Sequence, residues 1–245
     1  MQTHFLEDED LSQERPIIGL SGGINSAGLL CYLASEYQDE RKPSTLLLYY
    51  AHLREHSPDT FAFVADCVRY ARERFDNVQF GMHRTSAVEW MREQEFIPHP
   101  AVSPCTGALK IVPMEKWAEE HGATTDLVGY VRSERRRIKR QQDKDVEGKK
   151  YPIAHLSDAD CFALVDREIG WHPEIYDIRN ERGERVFTHN NCLPCKNMNA
   201  KQFKAVEKHY PEHAEHAREM AEDIGKYWGR KSDYAGDPCS RCAFD

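Results

Sequence analysis

The chain of 245 residues has no apolar run that approaches the roughly 18 residues of a membrane span. It also has no excess of positive charge: its net charge is −8, which argues against a general coat for nucleic acid. The first 15 residues are acidic and polar, and resemble neither a secretory signal nor a transit peptide. These absences predict a globular, cytoplasmic protein with no membrane partner.

Two common nucleotide-binding motifs are missing, namely the Walker loop and the G-x-G-x-x-G fingerprint. Instead, an apolar run at residues 16–20 leads into Ser21-Gly22-Gly23, and a helical pattern follows. A strand, a glycine turn and a helix N-terminus together form an anion site, because backbone N–H groups point outward and the helix dipole favours negative charge. The hydroxyls of Ser21 and Ser26 would add donors. The alternative is an ordinary turn between a strand and a helix.

Strand-like and helix-like segments alternate up to about residue 170, which is typical of a parallel sheet covered on both faces. The fold class is therefore predicted to be α/β with a Rossmann-like sheet. We divide the chain into a polar segment at 1–15, a nucleotide-binding domain at 16–171 and a cysteine-bearing extension at 172–245 with two polar helices. Strands are expected at 16–20, 44–52, 77–83, 124–131 and 149–156, and helices at 25–38, 57–75, 86–95, 109–122, 158–170, 199–209 and 211–225.

The eight cysteines divide into two kinds. Cys31, Cys67 and Cys161 lie within apolar helical patterns and are expected to be buried core thiols. Two C-x-x-C pairs follow late in the chain, at Cys192/Cys195 and Cys239/Cys242. Four thiolates suit tetrahedral Zn²⁺ or a [4Fe–4S] cluster, and the alternative is two redox-active or free pairs.

A basic segment follows the fourth expected strand, with six cations in nine positions opposed only by Glu134. The planar fork of arginine suits phosphate and sulfate. The segment therefore fits a nucleotide phosphate or an RNA or DNA backbone, and the alternative is a solvated charge run. Its cations are Arg132, Arg135, Arg136, Arg137, Lys139 and Arg140.

Residues 21–26, Ser-Gly-Gly-Ile-Asn-Ser, resemble the Ser-Gly-Gly-x-Asp-Ser pyrophosphate loop of the ATP pyrophosphatase and phosphoadenylylsulfate (PAPS) reductase superfamily. Further stretches between residues 16 and 195 match family segments in the expected order. The matching positions are Glu55, Pro58, Asp59 and Thr60, then Cys105, Lys110 and Pro113, then the glycine-arginine segment from Gly129 and the Tyr151-Pro152 ending.

This resemblance implies an adenine nucleotide alpha-hydrolase-like fold that binds ATP or an adenylyl nucleotide with Mg²⁺. Asn25 stands where the family has aspartate, and an uncharged amide is a weaker partner for Mg²⁺. The nucleotide-binding residues that the resemblance implies are Ser21, Gly22, Gly23, Asn25, Ser26, His52 and Gly129.

The resemblance also implies that Cys105 is a ligand of an iron–sulfur centre. A [4Fe–4S] cluster on Cys105, Cys192, Cys195 and one of Cys239 or Cys242 is favoured, with Cys242 preferred. A second option holds the cluster on three cysteines and leaves one iron open for sulfide or substrate. The alternative is a structural Zn²⁺ on the two C-x-x-C pairs, with Cys105 free.

The implied function is an ATP-dependent sulfur-transfer enzyme, most similar to iron–sulfur members such as the DNA phosphorothioation sulfurtransferases. Its acceptor would be DNA or tRNA, its partner a sulfur or electron donor protein, and Lys110, Arg132 and Arg136 would neutralise developing charge. One alternative is a sulfonucleotide reductase, although the Glu-Cys-Gly-x-His motif of the reductases is missing here. Another is a regulatory module that binds nucleotide without cleaving it.

Overall fold

The structure is a computed structural model that describes residues 10–99, 102–143 and 148–226. The described chain forms two compact units. The first comprises residues 10–51, 58–83 and 113–173, and the second comprises residues 52–57, 84–112 and 174–226. The two units are interleaved along the sequence, because the chain enters the second unit three times.

The sheet has five strands in the order β3-β2-β1-β4-β5. Strand β1 pairs in parallel with β2 and β4, and β4 pairs in parallel with β5. Ile17 of β1 lies opposite Leu47 on one side and Asp126 on the other. The predicted α/β class with a Rossmann-like parallel sheet is confirmed. The strands are β1 (Pro16–Gly19), β2 (Thr45–Leu53), β3 (Asn77–Thr85), β4 (Thr125–Leu127) and β5 (Lys149–Lys150).

The helices follow the strands in the alternating order that the sequence predicts. They are α1 (Ile24–Ser35), α2 (Thr60–Arg74), α3 (Ala87–Glu93), α4 (Pro104–Thr106), α5 (Val112–Glu120), α6 (Arg135–Gln142), α7 (Asp158–Glu168), α8 (Ala200–His209) and α9 (Pro211–Asp223). A π-helical turn at Gly107–Ile111 joins α4 to α5. Short 3₁₀ turns lie at Asp39–Arg41, Arg132–Glu134 and Glu174–Asp177.

Several boundaries differ from the sequence expectation, including the following three. Helix α2 begins at Thr60 with Asp59 as its N-cap, because the chain turns at Pro58 and Asp59 after the buried Ser57. Strand β4 ends at Leu127, before the chain turns past Gly129 toward the 3₁₀ turn. Strand β5 is reduced to its first two residues, since the chain after Tyr151 forms consecutive turns instead of continuing the ladder.

The first unit buries apolar side chains on both faces of the sheet. Ile17, Leu47 and Tyr49 pack against Met114 and Trp117 on one face. Helix α1 is apolar almost all round and packs against α7, which explains why it lacks the polar stripe of a surface helix. These contacts fix the start of α1, and hence the glycine turn before it.

The second unit is mostly helical. Helix α9 packs against both α3 and α8, and buries Ala214, Ala217 and Met220. Asn199 caps α8 by accepting a hydrogen bond from the backbone N–H of Gln202. The two polar helices predicted after residue 198 are confirmed. Within the described part of the chain, no helix combines the length and the apolar character needed to cross a membrane.

Candidate functional site

In the first unit, the turn between β1 and α1 has the geometry of an anion site. Gly22 has a φ of 73°, a left-handed conformation that glycine adopts without steric cost. Gly23 is the N-cap of α1 and has no side chain with which to cap it, and the first helical turn has no acidic residue. The positive end of the helix dipole is therefore not neutralised from within the helix.

Two serine hydroxyls fix the shape of this turn. The oxygen Oγ of Ser26 accepts a hydrogen bond from the backbone N–H of Ser21 at 3.1 Å and donates to the carbonyl of Gly23 at 3.0 Å. Oγ of Ser21 lies 3.0 Å from Oγ of Ser26 and accepts from the N–H of Gly23 at 3.2 Å. Ser21 is exposed and Ser26 is buried, so the pair links the surface of the turn to the core.

Gly129, after β4, lies directly against the same turn. A Cβ atom at this position would stand 2.8 Å from the carbonyl oxygen of Asn25 and 3.0 Å from its carbon. Only glycine lets the two backbones approach this closely. The structure thus brings Gly129 together with the predicted phosphate loop, Ser21–Ser26.

The side chain of Asn25 contacts two carboxylates. Its Nδ2 atom lies 3.4 Å from Oε2 of Glu134 and 3.4 Å from Oδ1 of Asp158, and donates to both. The other oxygen of Asp158 accepts from the hydroxyl of Ser133 at 3.1 Å. Asn25 thereby joins the start of α1 to the basic segment and to the start of α7.

Two arginines of the basic segment are held by the protein itself. Arg132 donates from Nε and Nη2 to the carbonyl oxygen of His155, at 3.1 and 2.5 Å. Arg137 pairs with Glu134, and its guanidinium lies 4.4 Å from the ring centroid of Tyr130. Both side chains therefore contribute to local structure as well as to positive charge.

The other four cations of this segment are exposed, and their side chains make no hydrogen bond or ion pair with any described residue. They lie on or beside the solvent face of α6, whose only buried residue is Ile138. Such a row of unpaired cations suits phosphate or sulfate. The four are Arg135, Arg136, Lys139 and Arg140.

In the second unit, three predicted metal ligands come from two distant stretches of sequence. Cys105 lies on α4, and Cys192 and Cys195 lie on the loop before α8; each thiol is half-buried. The turn at Cys195 is closed by a hydrogen bond from the N–H of Met198 to the carbonyl oxygen of Cys195, at 2.9 Å. The three cysteines thus belong to one compact unit, although they are far apart in sequence.

The three thiols and Lys110 act on one another electrostatically. Burial raises the pKa of Cys192 to about 12, the positive charge of Lys110 opposes this shift, and Cys195, Glu55 and Cys105 add to it. Burial also raises the pKa of Cys195, while the hydrogen bond from the N–H of Asn197 and the charge of Lys110 lower it in part. Lys110 thus lies beside the thiols, where it would stabilise a thiolate.

The described residues contain no group of three or more His, Cys, Asp or Glu side chains already arranged to hold a metal ion. Cys239 and Cys242, the other predicted ligands, lie outside the described residues. The donor chemistry nevertheless fits a thiolate-bound centre, because soft sulfur ligands select iron–sulfur clusters and Zn²⁺.

A buried carboxylate supports the cysteine loop. Glu55 is only 3% exposed, and its carboxylate accepts hydrogen bonds from the hydroxyl of Ser86 and the N–H groups of Ala87 and Val88, at 2.5, 2.8 and 3.3 Å. Its backbone carbonyl accepts from the N–H of Leu193 at 2.7 Å. The loop after β2, the start of α3 and the cysteine loop are therefore tied together.

Two histidines of the second unit have lowered pKa values. Burial and, after it, the charge of Lys110 hold the pKa of His56 well below its usual range. Burial and the charge of Arg84 lower the pKa of His52. His52, predicted to contact nucleotide, belongs to the second unit, whereas the phosphate loop and Gly129 belong to the first.

The remaining described cysteines are core residues, as the sequence predicts. Cys31, Cys67 and Cys161 are at most 1% exposed. Burial raises the pKa of each thiol, to about 12 for Cys31 and Cys161. They are chemically inert at neutral pH.

Sequence reasoning missed the roles of Glu55, Glu134 and Asp158. Glu134 had one visible signal, since it is the single acid in a run of cations. Asp158 follows the N-cap Ser157, and its position in the sequence indicates only an acidic residue in the first turn of a helix. Nothing in the sequence pairs either carboxylate with Asn25.

No protein-family model and no curated protein matches the chain. Among solved structures, it is similar to the U34-tRNA thiolase NcsA from Methanococcus maripaludis with its [4Fe–4S] cluster. The identity is 13% and the TM-score is 0.46, over 94% of this chain and 80% of that chain.

Proposed function

We propose that this protein is a sulfur-transfer enzyme that binds ATP or an adenylyl nucleotide and uses a thiolate-bound iron–sulfur centre. The observation that carries the proposal is the grouping of Cys105, Cys192 and Cys195 with Lys110 in one unit. The geometry of the turn Ser21–Ser26 in the other unit supports the proposed binding of nucleotide.

The proposed reaction has two steps. An oxygen of the acceptor, either a base carbonyl oxygen or a non-bridging phosphate oxygen of DNA, attacks the α-phosphorus of ATP, so that an oxygen–phosphorus bond forms and pyrophosphate leaves. Hydrosulfide then attacks the acceptor carbon or phosphorus that carries this oxygen, their bond breaks, and AMP leaves with the oxygen. The acceptor ends with sulfur in place of oxygen, one proton is released, and no net oxidation occurs. DNA and tRNA are the proposed acceptors, and a donor protein would supply the sulfur.

The residues of the chain would bind and neutralise charge in these steps. The N-terminus of α1, whose first turn has no acidic residue, would hold the phosphates beside the exposed Ser21. Arg136 is exposed and unpaired among the described residues, and would contact the departing phosphates or the acceptor backbone. Arg132 would keep its segment in place through Nε and Nη2, which bind the carbonyl oxygen of His155, and would offer its remaining N–H groups to phosphate.

The cysteines would hold the iron–sulfur centre. Cys105, Cys192 and Cys195 supply three thiolates, and Cys242 is proposed as the fourth ligand, with Cys239 or an open iron as alternatives. A bound [4Fe–4S] cluster would supply a soft iron site for sulfide. Lys110 would balance the negative charge of the thiolates.

Mg²⁺ would accompany the nucleotide in this proposal. Glu134 and Asp158 place carboxylate oxygens beside Asn25, and Mg²⁺ prefers oxygen ligands together with nucleotide phosphates. The donor set therefore fits the ion, even though the loop itself has asparagine in place of aspartate.

The test is the iron and acid-labile sulfide content of protein purified without oxygen, together with ATP binding measured by calorimetry. The proposal expects about four irons and four sulfides per chain, with absorbance near roughly 400 nm, and saturable ATP binding. One Zn²⁺ per chain without sulfide would contradict the sulfur chemistry. Loss of ATP binding alone would contradict the activation step.

A further inference from the structure

The amide of Asn25 occupies a position where an aspartate would meet two carboxylates. Its Nδ2 atom donates to Glu134 and to Asp158 at 3.4 Å each. Asparagine and aspartate have nearly the same shape, so an aspartate here would differ in charge and not in size. It would lose both donated hydrogen bonds and would bring a third negative charge to this place.

Each of the two carboxylates has a second contact that fixes it. Glu134 pairs with Arg137, and its side chain is only 12% exposed. Asp158 accepts from the hydroxyl of Ser133 at 3.1 Å. Asn25 is thus the common donor between two carboxylates that would otherwise repel each other across the start of α1.

We infer that Asn25 is a positioning residue that this nucleotide site requires, and that it is not a weakened substitute for a catalytic aspartate. The inference rests on the proposed function, because it concerns how the phosphate loop is arranged for nucleotide. The amide holds Glu134 and Asp158 in a fixed relation to the loop, and with them the 3₁₀ turn Arg132–Glu134 and the start of α7. An aspartate at position 25 weakens nucleotide binding and does not improve it.

The experiment compares ATP affinity in the full-length chain at one fixed Mg²⁺ concentration, by calorimetry. Asn25→Asp is expected to lower the affinity by about tenfold or more, because like charges repel strongly in a half-buried site. The double variant Asn25→Asp with Asp158→Asn exchanges the amide and the carboxylate at unchanged net charge. It is expected to bind ATP more tightly than Asn25→Asp by about threefold or more, because the new amide at position 158 can donate to the carboxylate at position 25 and only the repulsion from Glu134 remains.

Asn25→Ala separates repulsion from simple loss of the bridge. It removes both hydrogen bonds but adds no charge, so its affinity should fall less than that of Asn25→Asp. A purely steric role would give the opposite order, since aspartate keeps the shape that alanine loses. Rescue by the exchanged pair is likewise a result that a steric role does not produce.

The following outcomes overturn the inference. Equal or tighter ATP binding by Asn25→Asp would show that the loop tolerates aspartate, and would leave the proposed function intact. An exchanged pair no better than Asn25→Asp would show that repulsion from Asp158 does not cause the loss of affinity. A parent protein that does not bind ATP would remove the proposed function and the inference together. If Asn25→Asp does not fold, the exchanged pair decides. An exchanged pair that folds and binds ATP supports the inference. An exchanged pair that does not bind ATP, while Asn25→Ala does, contradicts it.

Discussion

The backbone N–H of Leu193, between Cys192 and Cys195, donates a 2.7 Å hydrogen bond to the carbonyl oxygen of Glu55. The carboxylate of the same residue binds the hydroxyl of Ser86 and the N–H groups of Ala87 and Val88. Glu55 therefore uses both its backbone and its side chain to join the cysteine loop to the start of α3. Because it is buried, none of these donors has water as a replacement partner.

Replacing Glu55 with alanine should destabilise the second unit. The change leaves the buried donors at Ser86 to Val88 without their acceptor, so the free energy of unfolding should fall by about 2–4 kcal/mol. Urea unfolding followed by fluorescence measures this. The control is Glu89→Ala, whose side chain is 53% exposed and pairs with Arg54, and which should cost less than about 1 kcal/mol. Equal losses in the two variants would contradict the role assigned to Glu55.

The fold could be predicted from the sequence because its signals are local. The buried runs of β1 and β2 and the helical periods between strands are visible within a dozen residues. The same holds for the glycine turn at Gly22 and for the core positions of Cys31, Cys67 and Cys161. The predicted length of β5 is too great, because a parallel edge strand ends where its neighbour stops pairing. The residues beyond that point lie in turns.

Much of the candidate site depends on contacts that no local pattern contains. Asn25 meets Glu134 and Asp158 only because α1, α6 and α7 begin near one another in the first unit. The buried Glu55 forms hydrogen bonds with α3 and with the cysteine loop, and its sequence neighbours predict neither contact. The interleaving of the two units has the same origin, since it follows from packing between segments far apart in the chain.

Single cysteine replacements should identify the ligands of the metal centre. With a [4Fe–4S] cluster, Cys105→Ala, Cys192→Ala and Cys195→Ala should each lose most of the iron, measured together with sulfide on protein purified without oxygen. Cys67→Ala is the matched control, because that thiol is buried in the core of the first unit and should keep the iron content unchanged.

The pattern across the remaining cysteines distinguishes the two candidate centres. Loss of iron in Cys242→Ala with retention in Cys239→Ala would fit the favoured ligand set. Retention of metal in Cys105→Ala, with loss in all four C-x-x-C variants, would instead establish a structural Zn²⁺ site and contradict the cluster.

Replacing Gly129 with alanine should disturb the phosphate loop. The new Cβ would stand 2.8 Å from the carbonyl oxygen of Asn25, and the backbone must move to relieve this contact. We expect a loss of about 1–3 kcal/mol in stability and a weaker affinity for ATP. Gly107→Ala is the control, because a Cβ there meets nothing within 4 Å, and it should leave ATP affinity unchanged. A Gly129→Ala variant with normal ATP binding would show that the close approach does not shape the loop.

The exposed cations of α6 should carry the binding of nucleic acid, if DNA or tRNA is the acceptor. Arg135, Arg136 and Arg140 are unpaired among the described residues, so each can release counterions from phosphate. Their triple replacement by glutamine should flatten the slope of log affinity against log salt by about 0.7–0.9 for each phosphate that is no longer neutralised. The matched control replaces Lys201, Lys204 and Lys208, three exposed cations of α8, with the same change in net charge. Equal slopes in the two triple variants would mean that total charge, and not the α6 surface, governs binding.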